Sequence, residues 1–488
     1  MINVQTKIHD KFTLEFKVSF KGKRQLKANN FALNTWVFIP HSLDINPRTY
    51  TRTDFYKDIR TNVRLITPVF LLRDIIHGEK SPLFKLKQTM EEVASAPTET
   101  NVAEYEYQIK MFAAIYKSAI RDQLRYIFQS ADASDRFTLT AHFLDEIGEI
   151  LGKYRSLAKI IQAHTVTQEN YNYFLFGDEF MLNLTEKELF AILDKLKNPE
   201  FELLKQPLSD IILGFLDKEK EYKSEHNYQQ VDPACDSKNS ELIFRFGALK
   251  KYIESDLFLN ARMKRDGVIV EQVYYSMAAG LSMIFATGIA FSFQQAYGNF
   301  TMPLFVALVV SYMLKDRIKD LMRFYFAHKM SGKYYDNKTT FSVKDKEIGW
   351  SKEGFDFIPE MNVPKQVLVT RNRLPIIQAD NRHAKEKIFL YKKIVQIKRV
   401  ELDRSSDYNI EGIVEIIRYN VSSFMKKMDN PEVPLYVIDQ DNHASRIMGT
   451  KLYFLNIVLQ YKPDDEEQVI RYRIAFNREG IKSVTKMN

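Results

Sequence analysis

Hydrophobic positions follow a strand or helix period along most of this chain, and one stretch breaks the rhythm. Residues 273–293 carry no charged side chain, and residues 300–314 repeat the pattern after a short uncharged link, 294–299. As a helix the first segment rises about 30 Å, the thickness of a bilayer's hydrocarbon. The second is shorter, although Lys315 at its end can snorkel toward the headgroups. The pair is expected to form a transmembrane helical hairpin. The competing expectation, a hairpin buried in a soluble core, draws on the shortness of the second segment. Lys250, Lys251, Arg262, Lys264 and Arg265 stand before the hairpin, and Lys315, Arg317, Lys319, Arg323 and Lys329 after it. Positive flanks resist translocation, so the expectation is two spans in a cell inner membrane, with both termini cytoplasmic.

The flanking regions show ordinary patterns. Phe12, Leu14, Phe16, Val18 and Phe20 alternate with polar residues, the period of a half-buried strand. Residues 21–24 read as a turn and 31–39 as the returning strand of a hairpin. With a short capped helix at 54–59, a strand at 62–67 and a short helix at 69–76, residues 1–78 form a small strand-rich α/β module. From 79 to 265 the period is helical. Ile109, Phe112, Tyr116, Ile120, Leu124 and Ile127 make one stripe, and Phe143, Ile147, Ile150, Tyr154, Leu157 and Ile161 another. Thr185 with Glu188 reads as a capping box, and Pro207 as a first-turn proline with Ile211, Ile212, Phe215 and Leu216 inward. Such stripes predict a helical bundle. Residues 266–332 hold the hairpin and a cytoplasmic stalk. Residues 333–488 read as an antiparallel β-rich domain, with strands at 367–370, 388–400, 435–438, 452–461 and 469–476. One helix interrupts them, with Ile413, Ile417, Val421, Phe424 and Met428 on one face. The predicted fold class is an α+β membrane protein whose terminal strands can complete each other's sheets.

Within the hairpin, Ala278, Ser282, Ala286 and Ala290 recur every four residues, a ridge of small side chains along which another helix can approach. That helix is either the second arm of the same chain or the same ridge of a second chain. Between residues 274 and 314 only tyrosines ionise, which argues against a proton or ion pathway and for anchoring.

Composition changes the picture little. The net charge of +8, from 70 basic and 62 acidic residues, suits an anionic inner leaflet better than a nucleic-acid groove. The single cysteine, Cys235, forbids an internal disulfide or a thiolate metal cage. Phosphate-loop, dinucleotide, zinc-protease and nucleophile-elbow motifs are all missing. Asp439, Asp441 and His443 are weak metal candidates, because their run lacks the glycine and distal glutamate of a calcium loop. No catalytic residue and no cofactor is expected. The function read from sequence is a membrane-anchored cytoplasmic binding or scaffold protein, its partners the lipid bilayer and another protein. Two alternatives stand beside it: a ligand-sensing membrane effector that oligomerises through the hairpin, and a membrane-bound hydrolase whose acidic site forms only in the fold.

Overall fold

A computed structural model describes residues 1–129, 132–198, 201–330, 335–381, 385–438, 443–462 and 467–487. Its fourteen strands are β1 (Ile2–Asp10), β2 (Thr13–Lys21), β3 (Ala28–Ile39), β4 (Ile59–Leu65), β5 (Asn260–Arg265), β6 (Asn337–Val343), β7 (Lys346–Phe357), β8 (Lys387–Lys398), β9 (Gly412–Asn420), β10 (Glu432–Ile438), β11 (Ala444–Thr450), β12 (Tyr453–Tyr461), β13 (Gln468–Asn477) and β14 (Gly480–Met487). The helices are α1 (Arg52–Asp58), α2 (Pro82–Ser95), α3 (Glu99–Gln129), α4 (Ala133–Ser156), α5 (Ala158–Ile161), α6 (Gln168–Lys195), α7 (Glu202–Glu225), α8 (Asp236–Glu254), α9 (Val268–Tyr297), α10 (Met302–Met330), α11 (Lys365–Arg371), α12 (Pro375–Asp380), α13 (Arg399–Asp403) and α14 (Ser422–Met425). They fall into two compact units. A sheet unit comprises Met1–Arg64, Leu259–Asp407 and Glu411–Asn488, and a helical unit comprises Leu65–Phe258 with Tyr408–Ile410.

In the sheet unit, eight strands run in the order β14-β13-β12-β3-β8-β7-β6-β5 and four in the order β1-β2-β9-β4. Strands from both ends of the chain therefore share each sheet. β3 lies between β12 and β8, paired through Asn456↔Phe38 and Trp36↔Leu390. β2 pairs with β9 through Phe16↔Ile417. The expected β2–β3 hairpin does not form. The turn after Lys21 sends β3 into the other sheet instead, because both neighbours of β2 are already taken, by β1 and β9.

The inner faces of the two sheets meet in a dry layer. Phe16, Val18, Val37, Phe389, Ile417 and Ile457 help line an apolar cavity of about 40 Å³ there. Phe55 of α1 plugs one side, stacked on Phe355 at 4.3 Å between ring centroids. Thr51 caps α1 in a reciprocal capping box with Asp54. On the outer face, Val363 and Val367 cover Trp36, Phe38 and Ile388. Residues 365–371 are therefore helix, not the strand their β-branched residues suggest, and bury Val367 on a ready-made sheet.

The helix expected from Ile413 to Met428 is also corrected. Residues 412–420 are strand β9, and only Ser422–Met425 is helical. Ile413, Glu415, Ile417 and Tyr419 all face inward and are buried. The period is two, hidden in the sequence by a glutamate on the apolar face.

The helical unit follows its stripes closely. Every stripe residue cited above on α3 and α4 is buried. On α7 Ile212 and Leu216 are buried as expected, beside Leu208, while Phe215 is half-buried and Ile211 exposed. Pro207 sits inside that helix and Thr185 in the middle of α6, so neither marks a start. The buried Thr185 hydroxyl donates to the Met181 carbonyl and meets the Tyr116 hydroxyl at 2.6 Å. A buried polar clasp ties α4, α6 and α7. The Asp178 carboxylate accepts from Arg155 Nε (3.1 Å), Tyr222 OH (3.1 Å) and Tyr228 OH (3.0 Å). Three donors on one carboxylate satisfy a charge that burial would otherwise make costly.

Candidate functional site: the apolar hairpin and its root

Helices α9 and α10 form an apolar hairpin inserted between two neighbouring strands, β5 and β6. The root is tightly bonded. Asp266 N donates to Asp336 O (3.1 Å), and Asp336 N donates to Glu353 O (2.8 Å). The Asp336 carboxylate accepts from Arg52 (3.1 Å), Tyr56 OH (3.0 Å) and Phe355 N (2.8 Å). Burial pushes the Tyr56 phenol far above its ordinary range, with Asp336 adding to the effect, so it serves as a permanent donor. Gly267, at φ 74°, turns the chain from β5 into α9, a left-handed conformation that favours glycine.

The two arms pack on each other along small residues. Ala278 and Ser282 of α9 are buried, as are Ala307 and Ser311 of α10, while Ala286 and Ala290 are half-buried. Both serine hydroxyls donate within their own helices, to Ala279 O and Leu308 O. The outward surface is greasy: Ile269 is 80% exposed, Ile284 70% and Phe291 66%. At the tip, Phe300 is fully exposed at φ 62°. An open apolar groove of about 640 Å³ runs near the tip, lined by Ile289, Phe293, Met302, Val306 and Val310 among others.

The arms are unequal. α9 is the one described helix long and apolar enough to cross a membrane. On α10 charges begin at Lys315, whose amine lies 3.8 Å from the Tyr312 ring centroid, and continue with Asp316, Arg317, Lys319 and Asp320. Closer to the root, Arg323 lies over the Tyr275 ring (5.4 Å), and Tyr275 OH donates to Glu271.

Beneath the root, the dry layer between the sheets holds an ionic cluster that no local sequence pattern announces. Lys393 of β8 binds Glu415 of β9 and lies 3.3 Å from Glu353 of β7, which also accepts from Tyr391 OH (2.6 Å). All three charged side chains are at most 6% exposed. Burial alone would lower the Lys393 pKa, but the two carboxylates outweigh it and hold the amine above its ordinary value. Burial raises Glu415, with Lys393 opposing. Among the described residues its Oε2 has no hydrogen-bond partner. The cluster is sealed from solvent, so it ties the sheets together and offers no reacting atom to a substrate.

Of the weak metal candidates, Asp439 and Asp441 lie outside the described residues. His443 is exposed, just before β11. Among the described residues no three His, Cys, Asp or Glu side chains converge as metal ligands. β10 and β11 form a separate two-stranded sheet, with Leu435, Tyr436, Ile438 and Ile447 exposed. No protein-family model, curated protein or solved structure matches the chain, so only its own geometry speaks to its role.

Proposed function

We propose that this chain is a non-catalytic binding protein anchored in a cytoplasmic membrane by a two-span helical hairpin, with both termini on the cytoplasmic side. The observation that carries the reading is α9, thirty residues long and apolar around its whole circumference, with side chains such as Ile284 and Phe291 facing outward. A soluble core helix would bury them.

Sheet topology supports an even number of crossings. β3 precedes the hairpin and pairs along its whole length with β8, which follows it. A single span by α9 would put those strands on opposite sides of the bilayer. The hairpin must enter and return. The charge-free part of α10, residues 302–314, rises only about 20 Å, so its span needs Lys315 to snorkel or the bilayer to thin locally. A protein partner is supported by the β10–β11 ribbon, because two strands alone are marginal in water and this pair exposes apolar residues on both faces. A second reading, an effector that oligomerises through the hairpin, draws on the open apolar groove beside Ala307 and Ser311.

Alkaline carbonate extraction of membranes tests the anchor, and the chain is expected in the pellet. Recovery in the supernatant would overturn the reading. A cysteine at Gln295, in a chain with Cys235→Ser, tests the crossing: an impermeant maleimide should label it from outside intact cells lacking an outer membrane. Labelling only after lysis would mean that the hairpin dips in without crossing.

A further inference from the structure

The two strands that carry the hairpin, together with β7, also carry a line of cations. Lys264 of β5 pairs directly with Lys338 of β6, and Lys338 with Lys352 of β7. Directly paired residues point to the same face, so three ammonium groups stand in one row about 10 Å across. Arg262 lies on the same face two residues away, paired with Thr340, which in turn pairs with Trp350. Lys338 and Lys352 lie 5.5 and 5.8 Å from the Trp350 ring centroid. Asp266 pairs with Lys352 at 3.0 Å, but among the described residues Arg262, Lys264 and Lys338 have no acidic partner. Like charges directly opposite one another on a sheet destabilise it, and among the described residues only Asp266 and the Trp350 ring offset them. Lys264 stands four residues before α9 begins, and every residue of β5 is exposed.

We infer that this face is a docking surface for the headgroups of anionic phospholipids in the bilayer that receives the hairpin; the inference rests on the membrane reading above. Its place at the hairpin's root sets it at headgroup depth. The charge is of the right sign, and a tryptophan among lysines is the side chain that favours the membrane–water boundary.

The full-length chain, reconstituted in nanodiscs of phosphatidylcholine with a minority of phosphatidylglycerol, tests it. After gentle detergent extraction, the lipids retained on the protein are weighed by mass spectrometry. The wild-type chain should retain phosphatidylglycerol enriched about fivefold or more over the disc composition, the gain expected from one well-placed lysine. The triple variant Lys264→Gln, Lys338→Gln, Lys352→Gln should retain the disc ratio. A charge-matched control, Lys187→Gln, Lys218→Gln, Lys220→Gln in the helical unit, should keep the enrichment. Equal enrichment in the triple variant, or none in wild type, overturns the inference while the chain still sits in the discs. A chain that never enters the discs overturns the membrane reading, and this inference with it.

Discussion

Lys393→Met asks whether the buried cluster holds the sheets together. In wild type the amine faces Glu415 and Glu353, all within a layer where Lys393 is 1% exposed. Methionine keeps the volume and removes the charge, leaving two carboxyl groups without a cation in a dry site. Breaking a buried pair in this way costs about 3–5 kcal/mol. For a unit of this size that is a fall in melting temperature of roughly 6–20 °C, read by scanning fluorescence of the detergent-solubilised chain.

The pH dependence makes the test sharper. Glu415 is raised by burial even with Lys393 present, and losing the amine raises it further. A carboxyl raised on folding binds its proton more tightly in the folded state. Its contribution is thus full below the ordinary value of 4.5 and is lost as pH rises through the folded value. The variant's deficit should be largest at neutral pH and shrink toward pH 4.5. Adding Glu415→Gln should recover part of it at neutral pH, because one buried carboxylate disappears. A variant that melts within a degree of wild type, or a deficit that ignores pH, would refute the reasoning.

Three further outcomes follow from the geometry. Glu386 accepts from Arg371 and Arg373 at 2.7 Å each, with all three side chains nearly buried; Glu386→Gln should cost about 2–4 kcal/mol, read as a lower melting temperature. Gly177 of α6 lies against Tyr154 and Ile109, and a Cβ there would overlap the Tyr154 hydroxyl and sit 2.9 Å from Ile109 Cγ2. Gly177→Val should therefore cost about 1–3 kcal/mol or more, with hydrogen exchange rising first in α4 and α6. Ser282→Ile places a branched side chain at a buried position between the hairpin arms; cross-linking between cysteines placed on α9 and α10 should fall, while carbonate-resistant membrane association persists.

The helical stripes were legible because their information is local. Ile109, Phe112 and Tyr116 meet the same neighbours by virtue of a 3.6-residue period that the sequence displays directly. The sheets were less legible for two physical reasons. Charged residues sit on inward faces: Glu415 in β9 and Glu353 in β7 break the apolar alternation, and both face Lys393 on another strand. Partner choice is also non-local, so the turn after Lys21 looks like a hairpin although β3 pairs elsewhere. β1 shows its inward face only at Ile2, Val4 and Thr6, and from Lys7 to Asp10 the strand lies exposed, which makes it hard to read. Of the site, the apolar hairpin and its small residues could be read from spacing. The lysine row could not, since residues 264, 338 and 352 become neighbours only through cross-strand register.

The sheet that closes across the hairpin also sets an order of events during synthesis. Trp36 of β3 donates to Gln460 of β12, a residue made 424 positions later. At ribosomal speeds of about 5–20 residues per second, β3 waits roughly 20–80 s for that neighbour. On the proposed membrane reading, α9 and α10 emerge in that interval and must find lipid, while the apolar face of β3 stands open. On that reading, membrane targeting and protection from aggregation are tasks of the same half-made chain, and a slow step in either leaves the other exposed.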